Sequence, residues 1–295
     1  MSPIVAGGTL YLVATPIGHL ADITFRAVEV LRDVPLIAAE DTRVTRRLLA
    51  RYEIRTRTVS FHARSDPDRS LELLAHLRGG DDLALVTDAG TPGISDPGED
   101  LAGRWASEGG RVVAIPGASA VLVAVAASGI AGPRWTFDGF LPRKGRERRE
   151  RLARIGADER GCVIFEAPRR LGATIADLRA TCGDDRPAAI CRELTKVHEQ
   201  VVRGTLAEID ARLAAGEMPI LGEAVIVVGW YVSADHRADA GSGAVGTAGG
   251  PPDKSVQAAL AKVEALVRAG TPRGSAARLV ADETGLARRL LYRVE

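Results

Sequence analysis

The sequence predicts an α/β protein of two consecutive domains followed by a small helical appendage. Three observations carry this. Short runs rich in Val, Ile and Leu alternate with helix-like segments as far as residue 231, the pattern of a mostly parallel sheet covered by helices. Aromatic residues make up only 4% of a chain that is 46% hydrophobic. Val, Ala, Leu and Ile must therefore fill the cores, which suits strands buried on both faces. After Tyr231 the composition changes abruptly to a Gly-rich tract, and helical periodicity returns only at Asp253.

The elements follow in order. The runs TLYLVA (9–14), PLIAAE (35–40), TVSF (58–61), LALVT (83–87) and RVVAIPG (111–117) are the expected strands of an N-terminal α/β domain over residues 1–117. ASAVLVAVAASGI (118–130) reads as a helix of small and β-branched residues, able to pack closely on a sheet, and opens a second α/β domain over 118–231. Further runs follow at 135–141, 162–167, 188–194, 199–206 and 223–229, and the two in close succession at 188–206 predict hairpin character. The tract 232–252 cannot bury enough apolar surface to offset chain entropy and reads as a flexible linker. In the tail, 253–295, Val256, Leu260, Val263 and Val267 are spaced for one helix face and Gly270 is a stop. One or two more short helices are expected beyond it, serving as an RNA contact or as a dimer or packing element.

Bulk properties narrow the function classes. A net charge of +1 gives no global polyanion signal, so the distribution of charge matters more. Cys162, Cys182 and Cys191 have neither CxxC spacing nor a paired framework. The five histidines, His19, His62, His76, His198 and His236, lack ligand spacing, so no metal is expected. No basic, apolar leader opens the chain and no apolar run is long enough to span a bilayer, which predicts a cytoplasmic protein with no membrane partner. A formal GxGxxG at Gly241, Gly243 and Gly246 lacks the preceding strand and following helix that a dinucleotide fingerprint needs.

Four loops after predicted strands carry the chemistry: VATPIGHLADIT (13–24), AEDTRVTRRLL (39–49), TDAGTPGISDPG (87–98) and AIPGAS (114–119). Gly admits close backbone approach and positive φ, and Pro fixes φ, so such tracts form rigid loops of exposed backbone. Singly each suits an ordinary connection; Asp41 or Thr42, for instance, makes a good helix N-cap. Together they lie at the carboxyl ends of parallel strands, where open α/β sheets bind ligands. A separate signal is RKGRERRERLAR (143–154), whose seven basic and two acidic residues leave a local charge of +5. Arginine forks match phosphate oxygens, and a nucleic-acid footprint is a local basic patch.

These residues, with PGASAVLVAVAASG, FDGFLPRKGRERRERL, FEAPRRL, RELTK and GEAVIVVG, stand in collinear order over about residues 9–231 and resemble the ribosomal RNA small subunit methyltransferase I family of the tetrapyrrole methylase superfamily. His19 stands where that family often has Asn. The resemblance implies a two-domain, tetrapyrrole-methylase-like (class III methyltransferase) fold, unlike the common Rossmann-type methyltransferases. It implies S-adenosyl-L-methionine as cofactor, held in the cleft between the domains. It further implies methylation of the ribose 2′-hydroxyl of a cytidine in the decoding region of 16S rRNA, the small ribosomal subunit as partner, and a homodimer. The alternative is a tetrapyrrole or other small-molecule methyltransferase of the same superfamily, which would have no need of the basic stretch or the tail.

By carry-over, Asp88, Ala89, Gly90 and Thr91 bring backbone close to the cofactor, and Pro16, Ser119, Ala120, Phe165, Leu194 and Ala224 supply other parts of its pocket. For a general base, Glu40 and Asp41 come first and Lys196 and Glu193 are rivals. Arg43, Arg143, Lys144, Arg146, Arg148 and Arg149 are the expected RNA contacts.

Overall fold

The computed structural model describes residues 7–62, 67–96, 98–231, 254–284 and 291. Five strands, β1 (Thr9–Val13), β2 (Leu36–Ala39), β3 (Arg57–Ser60), β4 (Leu83–Val86) and β5 (Arg111–Ile115), form a wholly parallel sheet in the order β3-β2-β4-β1-β5. Every residue of β2 and β4 is buried, because helices cover both faces. On one face α1 (Phe25–Asp33) and α2 (Thr42–Arg51) bring Leu31 and Leu49 onto Val13, Ile37 and Ala84. On the other, α3 (Pro67–Arg78) and α4 (Glu99–Ser107) pack Leu73, Leu77 and Trp105 onto Leu10, Leu36 and Leu83. Local sequence fixes the helix starts: the Thr24 hydroxyl accepts from Ala27 N, and the Asp41 carboxylate accepts from Arg43 N.

The second sheet is mixed. β6 (Trp135–Phe140) runs parallel to β7 (Gly161–Glu166), whereas β10 (Ala224–Val228) lies antiparallel between β7 and β8 (Pro187–Arg192). β9 (Gln200–Thr205) completes the expected hairpin with β8. One face carries α6 (Arg146–Ala157), α7 (Leu171–Cys182) and α8 (Leu206–Ala214), the last opened by a reciprocal capping box between Thr205 and Glu208. The other face takes α5 (Ala120–Ser128), whose Val121 and Ala124 meet Val163, Ala189 and Val227. Ile17, from the loop after β1, joins the same cluster, so the two sheets share a core.

Residues Met1–Tyr231 form one compact unit and Val232–Glu295 a second. A division at residue 117 would fall between β5 and α5, inside the first unit, and remains our proposal for how that unit is built. The expected linker 232–252, with its glycine motif and His236, lies outside the described residues. In the second unit, α9 (Lys254–Arg268) and α10 (Arg273–Thr284) pack through Ala259, Val263, Ala276, Ala277 and Val280. Gly270 follows α9 at φ +95°, a conformation that ends a helix readily only for glycine. Cys162, Cys182 and Cys191 are free thiols. Among the described residues no helix is long and apolar enough to cross a membrane.

Candidate active site

Because the first sheet is parallel, the loops after β1, β2, β4 and β5 all leave it along one edge. Hydrogen bonds weld them together. Thr15 N donates to Gly90 O (2.8 Å), Gly90 N donates back to Thr15 O (3.1 Å), and the Thr15 hydroxyl donates to Thr87 O (3.0 Å). Gly90 sits at φ +85°, where a side chain is costly. A Cβ on Gly117 would lie 2.9 Å from that of Ala14, so glycine is what lets the fourth loop close on the first.

The welded edge forms one wall of a cleft of about 360 Å³, within the range of small-molecule sites. Ala89, Gly90, Thr91, Ser119 and Ala120 line this wall, while Phe165, Leu194 and Ala224 line it from the second sheet. The register of β6 on β7 shifts between Phe137 and Phe140, and both rings then meet Phe165 edge-on, at 4.9 and 5.5 Å between centroids. Bulges next to a site commonly re-aim side chains in this way. The lining is mostly apolar. The N-terminus of α5 opens on it, and Ser119, the N-cap residue, makes no side-chain cap bond, so first-turn backbone N–H groups are left for a ligand.

Two expected cofactor residues stand elsewhere. Pro16 and Asp88 do not line the cleft; they border a separate hollow of about 40 Å³ with Val44 and Leu48 of α2. Chain direction explains Pro16, since it is the next residue, Ile17, that turns into the cleft. Conversely, Ile94, Ser95 and Asp96 line the cleft and were not anticipated. Their signal was the Gly/Pro tract itself, which runs on past Thr91 to Gly98.

Among the described residues that line the cleft there is none of the four expected bases, Glu40, Asp41, Lys196 and Glu193. The Asp41 carboxylate caps α2 and receives three bonds from the Arg43 guanidinium, which hold its pKa down to about 2, so it is a weak base. Glu40 accepts from Asp88 N (3.2 Å), and the Asp88 carboxylate accepts from Asp41 N (2.9 Å). Burial pushes the Glu40 pKa up despite that bond. The Lys196 ammonium is clamped between Glu193 and Glu223, each at 2.9 Å. Partial burial pulls its pKa down, but the two carboxylates outweigh this and raise it, keeping the amine protonated. Asp96 is half-buried, and burial together with the nearby Glu40 and Asp88 charges pushes its pKa up to about 7.

The basic stretch divides. Arg143, Lys144 and Arg149 are exposed, with no side-chain partner among the described residues; Arg146 is exposed but paired with Glu150. The expectation that Arg148 contacts RNA is corrected: its side chain is only 9% exposed. It donates to Asp177 (2.7 Å), to Thr174 Oγ1 (3.0 Å) and to Pro142 O (3.0 Å). The Thr174 hydroxyl in turn donates a hydrogen bond to Glu166, a buried carboxylate of the cleft wall that also pairs with Arg170. A second basic face stands on α2, where Arg43, Arg46, Arg47 and Arg51 lie opposite the buried Leu48 and Leu49, and the helix has no acidic residue.

Residues 9–210 match the family model of the tetrapyrrole (corrin/porphyrin) methylases. A protein of Synechocystis sp. called ribosomal RNA small subunit methyltransferase I is 42% identical over 287 residues, covering 97% of each chain. A protein of the same name from Mesorhizobium japonicum is 47% identical over 231 residues, 78% of each chain. Among solved structures, the uroporphyrin-III C-methyltransferase of Thermus thermophilus in complex with S-adenyl homocysteine superposes on 75% of this chain and 97% of its own, with a TM-score of 0.54 at 18% identity.

Proposed function

Since the chain belongs to the tetrapyrrole methylases, and among them to the ribosomal RNA small subunit methyltransferase I family, we propose that it transfers a methyl group from S-adenosyl-L-methionine to the ribose 2′-hydroxyl of a cytidine in the decoding region of 16S rRNA. The observation that carries this reading is the cleft itself, an apolar slot closed on one side by the welded loops of Thr15, Gly90 and Ser119. The residues present fit the cofactor. The open N-terminus of α5 suits its carboxylate, and Phe165 offers an aromatic wall for the adenine. The bound cofactor supplies a methyl group already activated by its sulfonium charge. The chain's task is then to hold the acceptor oxygen in line and exclude water, and positioning of this kind is worth roughly 7–11 kcal/mol in favourable cases.

Labelled S-adenosylmethionine offered with small ribosomal subunits lacking the modification tests the proposal. We expect one alkali-resistant 2′-O-methylcytidine in the decoding region. Cofactor binding without transfer to RNA would redirect the assignment to a small-molecule acceptor. The proposal includes a homodimer acting in the cytoplasm, and sedimentation of the full chain checks the dimer.

RNA binding is assigned to two exposed basic surfaces: Arg143, Lys144, Arg146 and Arg149 before and on α6, and the arginine face of α2. The second begins at Arg43, next to Asp41 and the site-edge loops, where it would meet phosphates flanking the target ribose. The triple substitution Arg46→Ala, Arg47→Ala, Arg51→Ala is expected to weaken RNA binding and lower its log–log salt slope by about 2, at roughly 0.7 per single-strand phosphate contact. Cofactor affinity should hold. An unchanged slope would take α2 off the RNA path.

A further inference from the structure

We propose that Asp96 is the general base of this reaction, the group that takes the proton from the ribose hydroxyl; the inference rests on the rRNA-methylating reading of the same cleft. The argument is one of position and commitment. Asp96 lines the cleft from the loop after β4, just beyond Gly90 and Thr91. Among the described residues its carboxylate has neither hydrogen-bond nor ion-pair partner. The other two cleft carboxylates are committed: Glu166 to Ala167 N, Thr174 and Arg170, and Glu223 to Lys196. Glu40 and Asp88 lie near enough for their charges to act on Asp96 and are tied to backbone N–H groups, with Asp41, Arg43 and His62 around them. Among the described residues of the cleft, Asp96 is the carboxylate with both oxygens uncommitted.

The backbone supports this aim. Ser95, immediately before Asp96, holds φ +65°, a left-handed conformation that a non-glycine residue adopts at a cost and that recurs where function dictates a loop. The like charges of Glu40 and Asp88 also make proton capture by Asp96 favourable, which raises its strength as a base above that of an ordinary aspartate. In the step itself the proton passes from O2′ to an Asp96 oxygen, and the electron pair of that O–H bond forms the new bond to the methyl carbon. The pair of the broken carbon–sulfur bond stays on sulfur and discharges the sulfonium. Asp96 then returns its proton to water.

The test compares Asp96→Asn and Asp96→Glu with the native enzyme on small subunits across a pH series. For the native enzyme, log kcat should rise with pH and level off above about 7. Asp96→Asn should lose about 10²–10⁴ in kcat together with that inflection. Cofactor and RNA affinities should stay at native values, and Asp96→Glu should recover part of the rate. A second readout is independent of turnover. A carboxyl whose folded pKa is raised holds its proton more tightly folded than unfolded, so its ionisation erodes stability as pH climbs towards about 7, and an amide escapes this. The Tm of Asp96→Asn should therefore gain on the native chain as pH rises through that range. The proposal is overturned if Asp96→Asn keeps native kcat and inflection, or if the Tm difference is independent of pH. If the native enzyme binds cofactor but methylates no RNA, the functional reading itself fails, and the base assignment with it.

Discussion

Gly90→Val is expected to raise the cofactor Kd at least about 100-fold, equivalent to about 2.7 kcal/mol. Crowding by the first added carbon is not the reason, since a Cβ there would meet Ile17 and Ala118 only at 3.7 and 3.9 Å. Conformation is. Gly90 sits at φ +85°, and left-handed backbone costs an L-residue roughly 1–2 kcal/mol, more when it is β-branched. Relief of that strain would rotate the peptide and break the paired bonds to Thr15, which hold two cleft loops together. The hydrophobic clusters on both faces of the first sheet are untouched, so Tm should fall by less than about 10 °C, given roughly 2–4 °C per kcal/mol for a unit of this size. Gly90→Ala should lie between the two proteins. Calorimetric titration with S-adenosylmethionine decides it, and near-native binding by the valine variant would remove this loop from the cofactor site.

Arg148→Ala is expected to destabilise the fold and leave the salt dependence of RNA binding alone, the reverse of what a surface arginine would do. Removing one partner of a fully buried ion pair costs about 3–5 kcal/mol. Here the partner, Asp177, is 46% exposed and can be rehydrated, so we expect about 2–3 kcal/mol, or a Tm drop of roughly 5–10 °C. Part of that loss is the anchor on Pro142 O, which positions the segment leading into α6. Arg149→Ala, one residue on and exposed, should change RNA affinity with almost no change in Tm. A salt-slope effect from Arg148→Ala at unchanged Tm would reverse the two roles.

The contrast between these neighbours marks what the sequence could convey. The ten strands of the described residues were legible, the fully buried ones most plainly, because strands between helix layers need nearly unbroken apolar runs, as at Leu83–Val86 and Ala224–Val228. The cleft loops were legible from their Gly and Pro content, a local requirement of local geometry. Pairing was not. The fate of Arg148 depends on Asp177, 29 positions away on α7, and nothing in RKGRERRERLAR distinguishes it from Arg149. The same holds for the bases: Asp41 looked available until Arg43 neutralised it, and the environment of Asp96 is assembled from the ends of β2 and β4. The arginine face of α2 could have been read from the spacing of TRVTRRLLAR, whose buried leucines place the arginines on the opposite side.

The bridge between Thr15 and Gly90 also bears on how the molecule comes into being. It joins positions 75 residues apart, and contacts of such sequence separation form only after the intervening chain has been organised. In the first sheet β4 lies between β1 and β2, so neither side of the bridge is in place until the third crossover has docked its strand. Competence to bind the cofactor therefore arrives late and all at once during folding, and a chain still emerging from synthesis before β4 is complete has no half-built pocket to fill. Cofactor present in the cell then stabilises only the assembled unit, by mass action on the folded state, and drains no affinity into partly folded chains.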